Sequence, residues 1–153
     1  GRATLDGAAL AAARARLEMP TPRVALGLAL RGVATAAIDV SDGLVGDLGH
    51  ILERSQVGAT VELSALPRSP ALARLLDGPA RGLGLECVLA GGDDYELCFT
   101  AHPTAAARIA AIAASAALPL ARIGTITRGT ALVARDEAGA PLSALPRAYD
   151  HFA

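Results

Sequence analysis

The sequence contains no lysine, and all fourteen of its basic residues are arginine. This absence excludes a P-loop lysine, a Schiff base and a lysine general base from this chain. Charged residues make up only 19% of the sequence and the formal net charge is −1, so we predict neither a nucleic-acid-binding face nor a polybasic membrane patch. A small-molecule ligand is therefore favoured, and any phosphate chemistry must use metal, arginine or backbone donors.

Cysteine is also scarce. Cys87 and Cys98 are too few and wrongly spaced for a disulfide framework or a metal-binding CxxC pair. Both lie in apolar runs, so we interpret them as buried free thiols. No apolar stretch is long enough to cross a membrane, because Arg108 interrupts the alanine-rich segment 105–118, and no signal-peptide pattern begins the chain. We therefore expect a reducing, cytoplasmic location.

The length bounds the number of domains. With 153 residues, of which 52% are hydrophobic, the chain is long enough for one core and too short for two ordinary domains. The sequence starts at Gly1 and runs directly into a helical pattern. This start predicts that 1–153 form a single domain of a longer protein.

Helical and extended patterns mix along the chain without strict alternation. This mixture predicts an α/β layered domain in which a mixed β-sheet is covered by helices. Helices are predicted over 5–17, 22–31, 42–55, 69–76, a short segment ending at about Ala90, and 102–118, and strands over 33–40, 59–63, 95–100, 121–127 and 131–135.

A first acidic group lies in AIDVSDGLVGDLGH, residues 37–50, where a strand pattern meets a helical one. Residues two apart in a strand share a face, so Asp39 and Ser41 are predicted to point together, with Asp42 at the helix start. Two interpretations of Ser41 and Asp42 stay open, a helix cap with a first-turn charge or a ligand-binding pair. Asp39 interrupts an apolar strand, where a carboxylate is costly to bury unless it meets a cation or hydrogen-bond donors, and Mg²⁺ is the natural cation. Asp47 is interpreted as a solvent-facing helix residue.

A second acidic group lies in GGDDYEL, residues 91–97. Its glycines allow close backbone approach and place Asp93 and Asp94 at the mouth of a strand, although ordinary turn chemistry gives the same pattern. The tail AYDHF, residues 148–152, supplies Tyr149 in a chain that is only 3% aromatic. That ring either stacks on a flat organic ligand or simply packs the tail.

Taken together, these motifs resemble the C-terminal half of thiamine-monophosphate kinases, a family of the superfamily that includes aminoimidazole ribonucleotide synthetase. The resemblance rests on AIDVSDGLVGDLGHILERS, GGDDYELCFT and AYDHFA, in that order along the chain. The earlier segments PTPRVALGLAL and ELSALPRSPAL fit the same family pattern. The likeness therefore spans nearly the whole chain.

The resemblance implies transfer of the γ-phosphoryl group of ATP to thiamine monophosphate, which gives thiamine diphosphate. At the matching positions it implies that Asp39 and Asp42 are magnesium ligands and that Ser41 contacts ATP. It also implies that Asp93 lies at the thiamine-phosphate site and that Tyr149 borders the thiamine ring. No catalytic residue is assigned to this chain, because phosphoryl transfer needs positioning and charge neutralisation more than covalent help.

The chain departs from the family pattern at two positions. Asp93 stands where the family has glutamate, and Ala148 stands where it has glycine. The resemblance also implies that an N-terminal domain with most magnesium ligands and much of the nucleotide site is missing. The isolated chain is therefore expected to be inactive, and the full-length protein to be a homodimer. Two alternatives stay open, another ATP-using synthetase of the superfamily and a noncatalytic ligand-binding or interaction module.

Overall fold

The computed structural model describes residues 3–148. Within that range the helices are α1 (Gly7–Glu18), α2 (Val24–Ala29), α3 (Leu44–Ser55), α4 (Pro70–Asp77), α5 (Arg81–Ala90) and α6 (Ala106–Ala116). The strands are β1 (Ala34–Val40), β2 (Gly58–Glu62), β3 (Glu96–Ala101), β4 (Gly124–Thr127) and β5 (Leu132–Arg135), and short 3-10 turns span Leu63–Ala65 and Pro103–Ala105.

The five strands of the described range form two sheets. β1 pairs with β3 in an antiparallel, two-stranded sheet. The other sheet has the order β4-β2-β5, with β2 antiparallel to β4 and parallel to β5. The predicted α/β class with a mixed sheet is confirmed, and the mixed sheet is the three-stranded one. The separate pairing of β1 with β3 was not predicted, because alternation along a strand does not identify its partner.

The residues at the starts of α4 and α3 differ in whether a side chain caps the helix. Ser69 caps α4, since its hydroxyl oxygen accepts a hydrogen bond from the Leu72 amide at 3.2 Å. The cap position of α3 is Gly43, and no side chain caps this helix. The interpretation of Ser41 or Asp42 as the cap is therefore wrong, and the helix predicted from residue 42 begins two residues later.

The core lies between α3, α5 and the inner faces of the strands. On α3 the apolar residues Leu48, Ile51 and Leu52 are buried, and Leu44 and Val45 are partly buried against the same core. Strand β1 alternates exposed and less exposed residues until the buried Val40, so one of its faces packs inward while Asp39 lies on the exposed face. The buried core consists of Val40, Leu48, Ile51, Leu52, Ala59, Val61, Leu63, Leu66, Leu89, Cys98 and Ala134.

The two cysteines have different environments. Cys98 is buried in β3, as predicted, but Cys87 is exposed on α5. The interpretation of Cys87 as a buried thiol is wrong, because this residue lies on the exposed side of its helix. Position 87 lies two residues before the fully buried Leu89, which places it on the opposite side of that helix.

The alanine-rich segment forms a shorter helix than predicted. A 3-10 turn at Pro103–Ala105 precedes α6, which has 11 residues. Across residues 3–148, no helix is both long enough and apolar enough to cross a membrane.

Candidate functional site

The two acidic groups of the sequence meet at the end of β1. The Asp93 amide donates a hydrogen bond to the carbonyl oxygen of Ser41 at 2.9 Å, and the Tyr95 amide donates to that of Val40 at 2.8 Å. These bonds continue the antiparallel pairing in which Val40 lies opposite Glu96. Segments that are distant in the sequence therefore form one continuous site.

Two glycines allow this close backbone packing. A Cβ atom at Gly92 would collide with the carbonyl oxygen of Ser41, and a Cβ atom at Gly43 would lie 2.7 Å from the backbone of Ala90. Gly43 also has a φ of 107°, a conformation that favours glycine. The glycine of SDG and the second glycine of GGDD are thus required by contacts within the site.

Asp47 holds the loop between β1 and α3. Its Oδ2 atom accepts hydrogen bonds from the amides of Ser41 at 2.9 Å and Asp42 at 3.1 Å. Its side chain is buried, and the residue is only 4% exposed. The interpretation of Asp47 as solvent-facing is therefore wrong, because two backbone donors satisfy the buried carboxylate. Helical periodicity does not reveal this role, since the donors belong to a loop outside the helix.

The hydroxyl group of Tyr95 binds one carboxylate of the site. The tyrosine hydroxyl donates a hydrogen bond to Oδ1 of Asp93 at 3.1 Å. This bond is the main cause that raises the pKa of Tyr95 above its ordinary value of 10.0, followed by the charge of Asp93, burial, and the charges of Asp42 and Asp39. Asp93 therefore contacts this hydroxyl group directly, and the charges of Asp42 and Asp39 act on it more weakly.

The loop before β3 has an unusual backbone. Asp93 has a φ of 64° and Tyr95 a φ of 50°. Aspartate adopts this left-handed region more readily than most residues, whereas a bulky side chain does so at a cost. The surrounding contacts impose this shape, and such strain is concentrated at functional sites.

Arginines fix the start of β3. The Glu96 carboxylate accepts hydrogen bonds from Nε of Arg23 at 2.8 Å and from its Nη2 at 2.7 Å, and it also pairs with Arg16. Arg16 reaches the carbonyl oxygen of Asp94 as well, at 3.2 Å. These partners, above all the hydrogen bonds from Arg23, lower the pKa of Glu96 below its ordinary value. The segment that carries α1 and α2 is thus tied to the edge of the site.

The donor set of the site fits Mg²⁺ when a phosphorylated ligand shares the ion. Among residues 3–148, no group of three or more His, Cys, Asp or Glu side chains could hold a metal ion. Asp39 is exposed and Asp42 is half-buried, and both supply hard carboxylate oxygens. Mg²⁺ commonly binds one or two protein carboxylates and completes its shell with water and phosphate oxygens.

The structure brings four of the five predicted site residues together, namely Asp39, Ser41, Asp42 and Asp93. Tyr149 lies outside the described residues, and its role stays a prediction.

The residue before Tyr149 has a defined neighbour. A Cβ atom at Gly46 would lie 2.6 Å from the Cβ atom of Ala148. The end of the described chain therefore packs against the first turn of α3, next to the loop that Asp47 holds.

Comparison with known proteins leads to the same family as the sequence motifs. Residues 2–137 match the family model described as AIR synthase related protein, C-terminal domain. The thiamine-monophosphate kinase of Salmonella typhimurium is 41% identical over 134 residues, which are 88% of this chain and 40% of that protein. These matches confirm the resemblance to thiamine-monophosphate kinases.

Two solved structures extend the comparison. The thiamine-monophosphate kinase from Stenotrophomonas maltophilia K279a has a TM-score of 0.77 and 47% identity, covering 93% of this chain and 43% of that one. AaThiL complexed with AMPPCP and TMP has a TM-score of 0.67 and 26% identity, covering 97% and 43% respectively. This chain therefore spans about two fifths of the length of these relatives, 40% to 43%.

Proposed function

Because the chain belongs to the family of AIR synthase related proteins, C-terminal domain, we propose that it supplies half of a thiamine-monophosphate kinase site. The reaction transfers the γ-phosphoryl group of ATP to thiamine monophosphate and gives thiamine diphosphate. The hydrogen bond between Asp93 and Ser41 carries this proposal. It joins the segment around Ser41, which resembles the nucleotide and metal motif of the family, to the segment around Asp93, which resembles the substrate motif.

The similar proteins support ATP and thiamine monophosphate as the two substrates. Two relatives that match this chain over most of its length, at 41% and 47% identity, are named thiamine-monophosphate kinases. AaThiL is complexed with AMPPCP, an ATP analogue, and with TMP. A donor and an acceptor bound to one relative favour a two-substrate phosphotransferase over a noncatalytic binding module.

In this proposal the side chains bind and orient rather than transfer protons. Asp39 and Asp42 would hold Mg²⁺, which neutralises phosphate charge when it is bound. Ser41 contacts ATP, Asp93 lies at the thiamine-phosphate site, and Tyr149 borders the thiamine ring. Phosphoryl transfer depends mainly on in-line positioning and electrostatic stabilisation, so these roles suffice for this half of the site.

We further propose that an N-terminal domain of the longer protein covers α1 and α2. No residue of α1 is buried, although this helix and the segment after it expose several large apolar side chains. About three fifths of the relatives' length lies outside the match, which leaves enough chain for such a cover. The exposed apolar side chains are Leu10, Leu17, Met19, Val24 and Leu28.

Assembly and location follow from the same proposal. The full-length protein is a homodimer, as the resemblance implies. It acts in the cytoplasm, where a reducing environment suits the free thiols of Cys87 and Cys98.

The function is tested by supplying thiamine monophosphate and Mg-ATP to the full-length protein and to the 153-residue chain side by side. We expect thiamine diphosphate from the full-length protein, none from the chain alone, and none from either when EDTA removes Mg²⁺. No product from the full-length protein would contradict the proposal. If ATP and Mg²⁺ still raise its Tm, another ATP-using synthetase is indicated, and no shift indicates a noncatalytic module.

The covering domain is tested at Met19, the only methionine of the chain, which is 80% exposed here. Its oxidation by peroxide is followed by peptide mass spectrometry in the full-length protein, native and in guanidinium. Strong protection in the native protein is expected. Equal oxidation rates in the two states would overturn the proposed cover.

A further inference from the structure

We propose that Asp47 is the positioning residue that holds both acidic segments in register. Its carboxylate fixes the loop that carries Ser41 and Asp42. Through the carbonyl oxygen of Ser41, the same loop holds the backbone of Asp93. The significance of this arrangement for phosphoryl transfer rests on the proposed function, whereas the positioning itself is measurable without it.

A single peptide unit transmits the effect. In a trans peptide the N–H and C=O groups point in opposite directions. The Asp42 amide points to Oδ2 of Asp47, and the Ser41 carbonyl of the same unit points to the Asp93 amide. This peptide plane is therefore held at both ends, and rotation about it would break both hydrogen bonds at once.

Asp47 lies at the start of a helix that is anchored in the core. Asp47 lies in the first turn of α3, a helix of 12 residues. Leu48, Ile51 and Leu52 anchor α3 in the core. The Asp47 carboxylate on this helix therefore has a fixed position, and it holds the loop amides in place.

Asp47 acts through the loop rather than on a ligand. At 4% exposure, its carboxylate is covered by the protein. Both of the observed hydrogen bonds end on one oxygen atom, so a side-chain amide oxygen could accept the same pair. Asp47→Asn therefore removes the charge of the side chain but keeps a hydrogen-bond acceptor, so the two effects are measured separately.

The test uses the full-length protein with Asp47→Ala, Asp47→Asn and, as a matched control, Glu53→Gln, an exposed acid on the same helix. Hydrogen exchange by mass spectrometry is measured in peptides that cover 38–43 and 91–95. We expect Asp47→Ala to exchange about tenfold faster or more in both peptides, Asp47→Asn to recover most of the protection, and the control to match the wild type.

Kinetics provide a second readout. Asp47→Ala should lower kcat about a hundredfold, as misplaced ligands do, and raise the Mg²⁺ concentration needed for half-maximal rate, with partial rescue in Asp47→Asn. Wild-type protection in Asp47→Ala would overturn the proposal, as would an Asp47→Asn variant that exchanges as fast as Asp47→Ala.

A further variant covers the case in which Asp47→Ala does not fold. Asp47→Glu keeps the charge but moves the oxygen atoms by one methylene, so faster exchange in both peptides is expected, and wild-type exchange would overturn the proposal. If the wild-type protein makes no thiamine diphosphate, the proposed function fails, while the exchange data still decide the role of Asp47.

Discussion

The amide nitrogen of Asp93 lies 2.9 Å from the carbonyl oxygen of Ser41. This bond joins two backbone groups, so replacing the exposed side chains around it leaves its donor and its acceptor in place. Exposed carboxylates at this junction are therefore suitable positions for functional variants, whereas the glycines that allow the approach are suitable positions for stability variants.

Asp39→Asn should abolish most phosphoryl transfer in the full-length protein and leave its stability nearly unchanged. Asp39 is exposed at the end of β1, and exposed substitutions usually change the free energy of unfolding by no more than about 0.5 kcal/mol. Loss of a charged ligand at the phosphates should lower turnover about a hundredfold or more. The measurement is thiamine diphosphate formation over a range of Mg²⁺ concentrations, with Glu53→Gln as control. Unchanged turnover would contradict a metal-binding role.

Gly43→Ala should destabilise the protein by about 1–3 kcal/mol. A Cβ atom there would lie 2.7 Å from the backbone of Ala90, and the φ of 107° disfavours any residue with a side chain. The matched control is Gly49→Ala on α3, where no atom lies within 4 Å of an added Cβ.

In the interior of that helix, Gly49→Ala should stabilise the protein by about 0.5–1 kcal/mol. Urea denaturation measures both changes. Equal effects of the two substitutions would show that the contact of Gly43 with Ala90 does not constrain the loop.

Alkylation should distinguish the two thiols. Burial, with a smaller contribution from the charge of Asp47, raises the pKa of Cys98 to about 11, whereas Cys87 is exposed. Because the thiolate is the reactive form, iodoacetamide at about pH 8 should label Cys87 and spare Cys98. Peptide mass spectrometry reads the labelling, and urea should expose both thiols. Comparable labelling of both in the native protein would contradict the buried position of Cys98.

Glu96→Gln should lower the Tm of the protein most at neutral pH. Its partners, chiefly Arg23, hold the pKa of Glu96 below the ordinary value of 4.5 in the folded state. A carboxyl group with a lowered folded-state pKa contributes stability above its unfolded pKa, and the contribution is lost as pH falls through the folded value. The Tm difference between wild type and variant should therefore be largest near neutral pH and shrink below about pH 4.5.

Thermal denaturation in a series of buffers measures this trend, with Glu53→Gln run in parallel. A Tm difference that stays constant across the acid range would mean that the ion pairs of Glu96 do not stabilise the fold.

Local elements of the fold were predictable, because their signals lie within a few neighbouring residues. The cap at Ser69, the buried face of α3 and the extents of most strands follow directly from spacing and turn residues. The separate pairing of β1 with β3 did not follow, since it depends on contacts between distant segments.

The site was predictable only in part. Resemblance to a family assigned the acids of both segments, and the structure shows these segments in contact. The roles of Asp47 and Tyr95 depend on hydrogen bonds that neither periodicity nor composition encodes. Asp47 in particular shows how a charged helix residue becomes buried when a neighbouring loop turns its amides inward.

The backbone of Tyr95 has a consequence for the engineering of this protein. Glycine adopts its φ of 50° without the steric cost of about 1–2 kcal/mol that a side chain incurs. A screen that rewards thermal tolerance alone would therefore select glycine at this position, and with it the loss of the hydroxyl group that contacts Asp93. At this loop, relief of backbone strain and the hydroxyl contact with Asp93 therefore favour opposite residues.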